Sequence, residues 1–261
     1  MSNEVVSYQK VIDFIVSSGQ RLLARAGKIK DIGITKSDLT EEDLVIERGL
    51  KETVVGFGGN PTVYAEEEND VFNKSPDLWV IDPISGTHRF IKGESHYAIV
   101  ISHLVNHKTV FAAVYDPSVK ELYTAYLGKG AFLNSAPIRV SLSATNIIIR
   151  PSMFWKDPDA VERIKNLLQK KSLENNEYSM AVNYCKVAKG EADCVVALTK
   201  DAFPEYAGGF IIKEAGGKFT NIEGSDDLKP TDRVFVGGNL KIYNELPPLV
   251  KKAMEKSENQ S

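Results

Sequence analysis

The run Trp79-Val80-Ile81 leads directly into Asp82, a proline, and the turn Ser85-Gly86-Thr87. An acid placed straight after three core-type residues is costly to bury without partners, which points to a role beyond packing. Asp82 offers ionised oxygen at the sheet edge where a strand ends, the Ile84 carbonyl adds a second oxygen, and the Gly86 and Thr87 N–H groups can face a phosphate at the start of a following helix. Hard cations seek such oxygen-rich surroundings. Upstream, Glu66, Glu67 and Glu68 follow Val63-Tyr64-Ala65, again at the end of a short strand, and acids so close repel unless a cation holds them. Asp43 lies further upstream, and Glu205 opens a Gly-rich helix after Pro204. A fold that converges these separated acids makes one metal site.

Each residue also has an ordinary structural use. Asp43, three positions after Thr40, completes a helix cap, which taken alone is the commoner role. Glu205 is favoured in a first helical turn by the helix dipole, and Ser85 and Thr87 are common turn and cap residues. Arg89 either pairs with an acidic substrate group or makes a surface salt bridge, and Lys36 either neutralises phosphate charge or is simply exposed. Glu68 and Asp70 read as surface. His96, His103 and His107 follow a predicted hairpin without metal-ligand spacing and are read as structural.

The elements that must position these residues begin with two helices. Ile12, Ile15, Gly19, Leu22, Leu23 and Ala26 recur at helical spacing, and Thr40-Glu41-Glu42-Asp43 caps a second helix carrying Leu44, Val45, Ile46 and Leu50. Short β-type runs then follow at 78–81, 97–104, 110–115 and 122–126, joined by turn residues at Asn106-His107-Lys108 and Asp116-Pro117-Ser118. They predict one antiparallel meander. Beyond Ser141 the pattern alternates: strand 147–149, helices near 160–169 and 180–188, strand 194–198, helix 205–215 closed by Gly216-Gly217, strand 234–236 and a last helix over 242–254. The expected fold class is α+β, with an N-terminal antiparallel-sheet half over 1–141 carrying most of the metal-site motifs. A C-terminal mixed α/β half over 142–261 contributes substrate-side residues.

With 261 residues, 43% of them hydrophobic, the chain can bury a substantial core. Lys plus Arg (32) nearly balances Asp plus Glu (35), and the net charge of -3 offers no broad cationic face for a nucleic-acid polymer or an anionic membrane. A small partner is expected. No signal peptide or spanning run stands out, so a cytoplasmic location is expected. Two cysteines, Cys185 and Cys194, are too few for a disulfide scaffold and are read as buried and reduced.

Over nearly its whole length the chain resembles the inositol monophosphatase family of lithium-sensitive phosphatases. The segments that carry the resemblance are Lys36 to Asp43, Ala65-Glu66-Glu67, Trp79 to Thr87, Gly128-Lys129-Gly130-Ala131-Phe132, and Glu214-Ala215-Gly216-Gly217. The resemblance implies a layered αβαβα architecture, a homodimer, and Mg²⁺ ions that bind phosphate and activate water. Carried over by motif, Glu66, Asp82 and the Ile84 carbonyl would hold a first ion. Asp43 and Thr87, with Glu66 nearby, would orient the attacking water, and the Gly86 and Thr87 amides would receive phosphate oxygens.

Departures from the family pattern are equally specific. Ser85 stands where the pattern has a second aspartate, a ligand of the second ion. The family's later Trp-Asp ligand falls either at Glu205, if Ala207-Gly208 is matched, or at Pro204, if Glu214 to Gly217 is matched without a gap. Ala197 stands where the animal enzymes have a glutamate that contacts inositol. These features lead to the expectation of an Mg²⁺-dependent phosphomonoesterase for a small sugar, polyol or nucleotide phosphate, with a weakened second metal site. The alternative is a catalytically impaired member that binds a phosphorylated ligand or a protein partner without turnover.

Overall fold

The opening apolar periodicity forms the expected pair of helices. The structure is a computed structural model describing residues 2–34, 38–57, 61–68, 75–152, 155–168, 172–174 and 178–255. Helix α1 (Ser2–Arg25) buries Val11, Ile15 and Leu22, and α2 (Glu41–Val55) buries Ile46, Leu50 and Val54. Leu23, expected on the buried face of α1, points outward. At the start of α2, Thr40 accepts the Glu42 N–H while the Asp43 carboxylate accepts the Thr40 N–H at 2.8 Å. A cap of this kind contributes about 1 kcal/mol.

A seven-stranded sheet carries the first half in sequence order: β1 (Thr62–Ala65), β2 (Asp77–Ser85), β3 (Ala98–Val105), β4 (Lys108–Asp116), β5 (Glu121–Tyr126), β6 (Gly130–Leu133) and β7 (Ala136–Ile138). The short helix α3 (Thr87–Lys92) lies between β2 and β3. From β2 onward the sheet is the predicted antiparallel meander, but β1 pairs with β2 in parallel. That correction matters for the site, because parallel neighbours end on the same side of the sheet. The β3–β4 turn holds Asn106 and His107 at φ 49° and 64°, the left-handed conformations that a two-residue hairpin requires.

The second sheet joins β8 (Asn146–Pro151), β9 (Ser172–Glu174), β10 (Cys194–Leu198), β11 (Lys218–Asn221) and β12 (Val234–Gly238) in the order β11-β12-β10-β8-β9, with parallel and antiparallel pairs mixed. Around it lie α4 (Pro158–Leu167), α5 (Met180–Ala188), α6 (Phe203–Glu214), α7 (Leu240–Tyr243) and α8 (Leu246–Met254). The single last helix expected from the sequence is two, α8 starting afresh with prolines in its first turn, where a missing N–H costs nothing.

Side-chain alternation along β2 fixes the layering. Trp79 and Ile81 pack with α1 and α2, while Leu78 and Val80 face the opposite core with Tyr184 of α5 and Ile211 of α6. Full burial of one such side chain contributes roughly 2–3 kcal/mol. The central core also takes Val195, Ala197 and Phe235 from the second sheet. The other face of that sheet, with Val196 and Val236, packs against Ile164 of α4, Ile242 of α7 and Val250 of α8. The layers therefore run αβαβα. Residues on both sides of Ser141 share the central core. Cys185 and Cys194 are buried free thiols. Among the described residues, no helix is long and apolar enough to cross a membrane.

Candidate active site

Parallel pairing of β1 and β2, with Ala65 opposite Ile81, sets Glu66, the first residue past β1, beside Asp82 within β2. The Glu66 N–H extends this ladder to the Ile81 carbonyl at 3.2 Å. Glu47 of α2, fully buried, accepts the N–H groups of Glu67 at 2.8 Å and Glu68 at 3.0 Å, so the acidic turn is pinned from beneath. Strand β2 continues past Asp82 to Ser85, with its register against β3 broken between those residues. Pro83 in that stretch has no N–H for a ladder bond. Asp82 is 2% exposed and lies within the sheet, β1 and β3 flanking its strand, rather than at the sheet edge that the sequence suggests.

Gly86 turns the chain at φ 87°, and a Cβ there would lie 2.8 Å from the Cβ of Ser179. Only glycine meets both demands. Helix α3 begins at the next residue, and Thr87 Oγ1 lies 2.8 Å from the Ile84 carbonyl and 3.1 Å from Asp43 Oδ1. The other Asp43 oxygen takes the Thr40 N–H and the Thr40 hydroxyl, at 2.8 and 2.6 Å. Asp43 is thus both helix cap and hydrogen-bond partner of Thr87. Burial pushes its carboxyl up to about 8 against the opposing Thr40 hydroxyl bond, with the charges of Glu67 and Glu66 adding to the rise.

Glu66, Asp82, Ile84, Ser85, Gly86, Thr87, Arg89, Pro204 and Glu205 all line one cleft of about 320 Å³. Lys36 lies outside the described residues. Ser85 Oγ accepts the Ala181 N–H at 3.3 Å, satisfying a donor in the first turn of α5. Glu205 is fully buried: Tyr184 donates to Oε1 at 2.7 Å, and Oε2 has no hydrogen-bond partner among the described residues. Burial holds the Glu205 carboxyl well above the usual carboxylate range. Gly208, one turn further along α6, lets Tyr184 approach so closely that a Cβ there would lie 2.2 Å from the ring. Arg89 turns part of its guanidinium away, donating to the Ser95 carbonyl at 2.7 Å and pairing with Glu94 at 3.2 Å.

Several lining residues escape the sequence reading. Lys200 and Asp201 follow β10 after Thr199, and Lys200 Nζ lies 3.7 Å from Glu66 Oε1 and 3.7 Å from Asp201 Oδ2. A charged residue directly after an apolar run was the signal at Asp82, and a weaker form of it stands beyond Leu198, where Thr199 separates the apolar run from Lys200 and Asp201. Arg150, near the end of β8, has its pKa lowered by burial and then by the charge of Arg89. Asp38 meets His88 Nδ1 at 3.3 Å. A larger cavity of about 710 Å³ opens among Leu104, Phe210 and Phe219, but it holds none of the strand-end acids. The histidines read as structural bond locally: His96 to Asp116 at 3.0 Å, and His103 to Asp77 at 2.9 Å and Tyr8 at 2.7 Å.

The donors suit magnesium, which takes one or two protein carboxylates and keeps much of its water. Glu66, Asp82 and the Ile84 carbonyl are an all-oxygen set of that size. Among the described residues no group of three acidic, histidine or cysteine side chains forms a metal cluster.

Two distant segments meet beside the larger cavity: the Glu214 carboxylate, at the end of α6, accepts the N–H groups of Gly128 at 3.1 Å and Gly130 at 3.0 Å. The sequence profile of the Inositol monophosphatase family matches residues 10–257. The chain belongs to the inositol monophosphatase family. Within that phosphatase family, the Nus factor SuhB of Pasteurella multocida is 30% identical over 232 residues, spanning 85% of this chain and 87% of its own. A fructose-1,6-bisphosphatase/inositol-1-monophosphatase of Thermotoga maritima is 28% identical over 223 residues, with 84% and 85% covered. The solved IMPase of Thermotoga maritima superposes with a TM-score of 0.81 at 26% identity, covering 93% of this chain and 96% of that one. The suhB protein of Bartonella henselae shares the fold, with a TM-score of 0.83 at 22% identity over 94% and 98% of the two chains.

Proposed function

We propose that the chain is an Mg²⁺-dependent phosphomonoesterase acting on a small sugar, polyol or nucleotide phosphate. The observation that carries this reading is the meeting of Glu66, Asp82 and the Ile84 carbonyl with the hydrogen-bonded pair Asp43 and Thr87 in and beneath one cleft. Magnesium held by Glu66, Asp82 and the Ile84 carbonyl would supply Lewis acidity to the phosphate and to water. The Gly86 and Thr87 N–H groups, at the start of α3, bind phosphate oxygens, and Arg89 adds positive charge toward the substrate. In the ionised form of Asp43, favoured above about pH 8 in the metal-free chain, Thr87 swings its single proton from the Ile84 carbonyl to Asp43, and the Thr87 oxygen is then an acceptor that orients the attacking water, with Glu66 beside it. Its location is cytoplasmic and its assembly a homodimer in this reading, and its partner is a small metabolite rather than a nucleic-acid polymer.

A second metal position is weaker. Ser85 offers a neutral hydroxyl already engaged by Ala181, and Glu205, rather than Pro204, supplies the carboxylate on that side. This favours a second reading, a member that binds a phosphorylated ligand or a protein partner without turnover. The relatives named Nus factor support it, since that name describes no hydrolysis. Phosphate release from a panel of inositol, sugar, histidinol and nucleotide phosphates, with magnesium varied and chelator as control, separates the two. Turnover supports the enzyme; ligand binding by folded, metal-saturated protein without release supports the impaired member.

A further inference from the structure

We propose that the Lys200 ammonium stands in for a divalent ion, so that the cleft holds a single Mg²⁺ per chain. This rests on the metal-site reading above and goes beyond it in assigning a resident positive charge. Lys200 leaves the end of β10 in the second sheet and reaches the end of β1 in the first, where its Nζ faces Glu66 Oε1 and Asp201 Oδ2, each at 3.7 Å. Its side chain is 34% exposed, so much of the stem is covered by the cleft.

Three features of the same cleft point the same way. Glu66 and Asp201 are the carboxylates on this side of the cleft, and an ammonium between them offsets charge that another cation would otherwise have to offset. A carboxylate has two oxygens, so Glu66 can face the ammonium and one ion at once, but a further divalent ion on these carboxylates would be repelled by Lys200 at close range. On the other side, Ser85 already accepts the Ala181 N–H, Pro204 has no side-chain donor, and one Glu205 oxygen is taken by Tyr184. The cleft to which Lys200 adds a fixed cation thus offers few ligands for a further ion. Lysine suits the task as a compact charge on a flexible stem.

Metal counting tests this without reference to turnover. Mn²⁺ would be titrated into chelator-treated wild type, Lys200→Met and Lys200→Arg, with bound metal read by calorimetry and by the electron paramagnetic resonance of free Mn²⁺, and folding checked by thermal melting. The expected result is one ion per chain in wild type and in Lys200→Arg. Lys200→Met should take up a second ion, or bind the first tighter by roughly tenfold as the like charge is removed. Two or more ions in wild type, or a Lys200→Met protein with wild-type count and affinity, would overturn the proposal and leave the phosphatase reading standing. The expected metal counts in a protein that releases no phosphate would uphold it and count against the enzyme instead.

Discussion

Thr87 Oγ1 lies 3.1 Å from Asp43 Oδ1, a contact between residues 44 positions apart in the chain. Because the same hydroxyl reaches the Ile84 carbonyl at 2.8 Å, one side chain ties the cap of α2 to the end of β2 and the start of α3. Thr87→Ala should lower kcat by about 10²–10⁴-fold, the range for a lost group that handles a proton, while Thr87→Ser keeps most of the rate. Steady-state phosphate release on the best substrate of the panel checks this. An equal loss in the serine variant would mean that the methyl group, not the hydroxyl, matters.

The buried Asp43 gives a pH dependence whose sign is fixed. Its carboxyl titrates at about 8 in the folded chain, above the ordinary value of 3.8, because burial penalises the charged form. Between those values the folded state binds more protons than the unfolded one, so this group makes stability fall as pH rises through the interval, by at most ~1.4 kcal/mol per pH unit. The contribution is flat below and above it. In chelator, Asp43→Asn should therefore show a shallower loss of unfolding free energy between pH 5 and pH 8, followed by urea titration. Parallel curves for the two proteins would contradict the assignment.

Much of this was legible locally. The alternation of Leu78, Trp79, Val80 and Ile81 fixed two faces of one strand, and the acid that follows proved to be buried in the cleft. Asp43 bore out its cap reading, and the cap uses one carboxylate oxygen and leaves the other for Thr87. Hidden from sequence were the relations set by topology. Nothing in Val63-Tyr64-Ala65 says that β1 runs parallel to β2, and nothing near Lys200 says that the end of β10 faces the end of β1. The short strands β7, β9 and β11 lack an apolar run long enough to announce themselves and are defined by their neighbours.

Ser85→Asp should strengthen magnesium dependence. A carboxylate there can still accept the Ala181 N–H, and its charge is favoured at the first turn of α5, so the fold should hold. The magnesium concentration for half-maximal phosphate release should fall by roughly tenfold, equivalent to about 1.4 kcal/mol. No change, in protein shown to bind substrate, would mean that this position does not limit catalysis.

Glu214 tests the frame away from the site. Its carboxylate serves two backbone donors of the β5–β6 turn, Gly128 and Gly130, so Glu214→Ala leaves both without that acceptor. The variant should lose about 1–3 kcal/mol in urea unfolding, with the Mg²⁺ requirement of the remaining activity unchanged. A neutral effect on stability would show that water replaces the carboxylate at no cost.

Asp82 carries the central claim, since it combines near-complete burial with a place in β2 beside Glu66. The most direct measurement is magnesium-titrated phosphate release by wild type beside Asp82→Asn, with chelator as control and metal binding measured on both. Wild type should turn over a phosphate ester only when magnesium is present, and Asp82→Asn should lose both metal affinity and at least roughly 10²-fold in rate. Activity that survives chelator, or an Asp82→Asn protein with wild-type metal binding and rate, would contradict the assignment of this cleft as the metal-dependent active site.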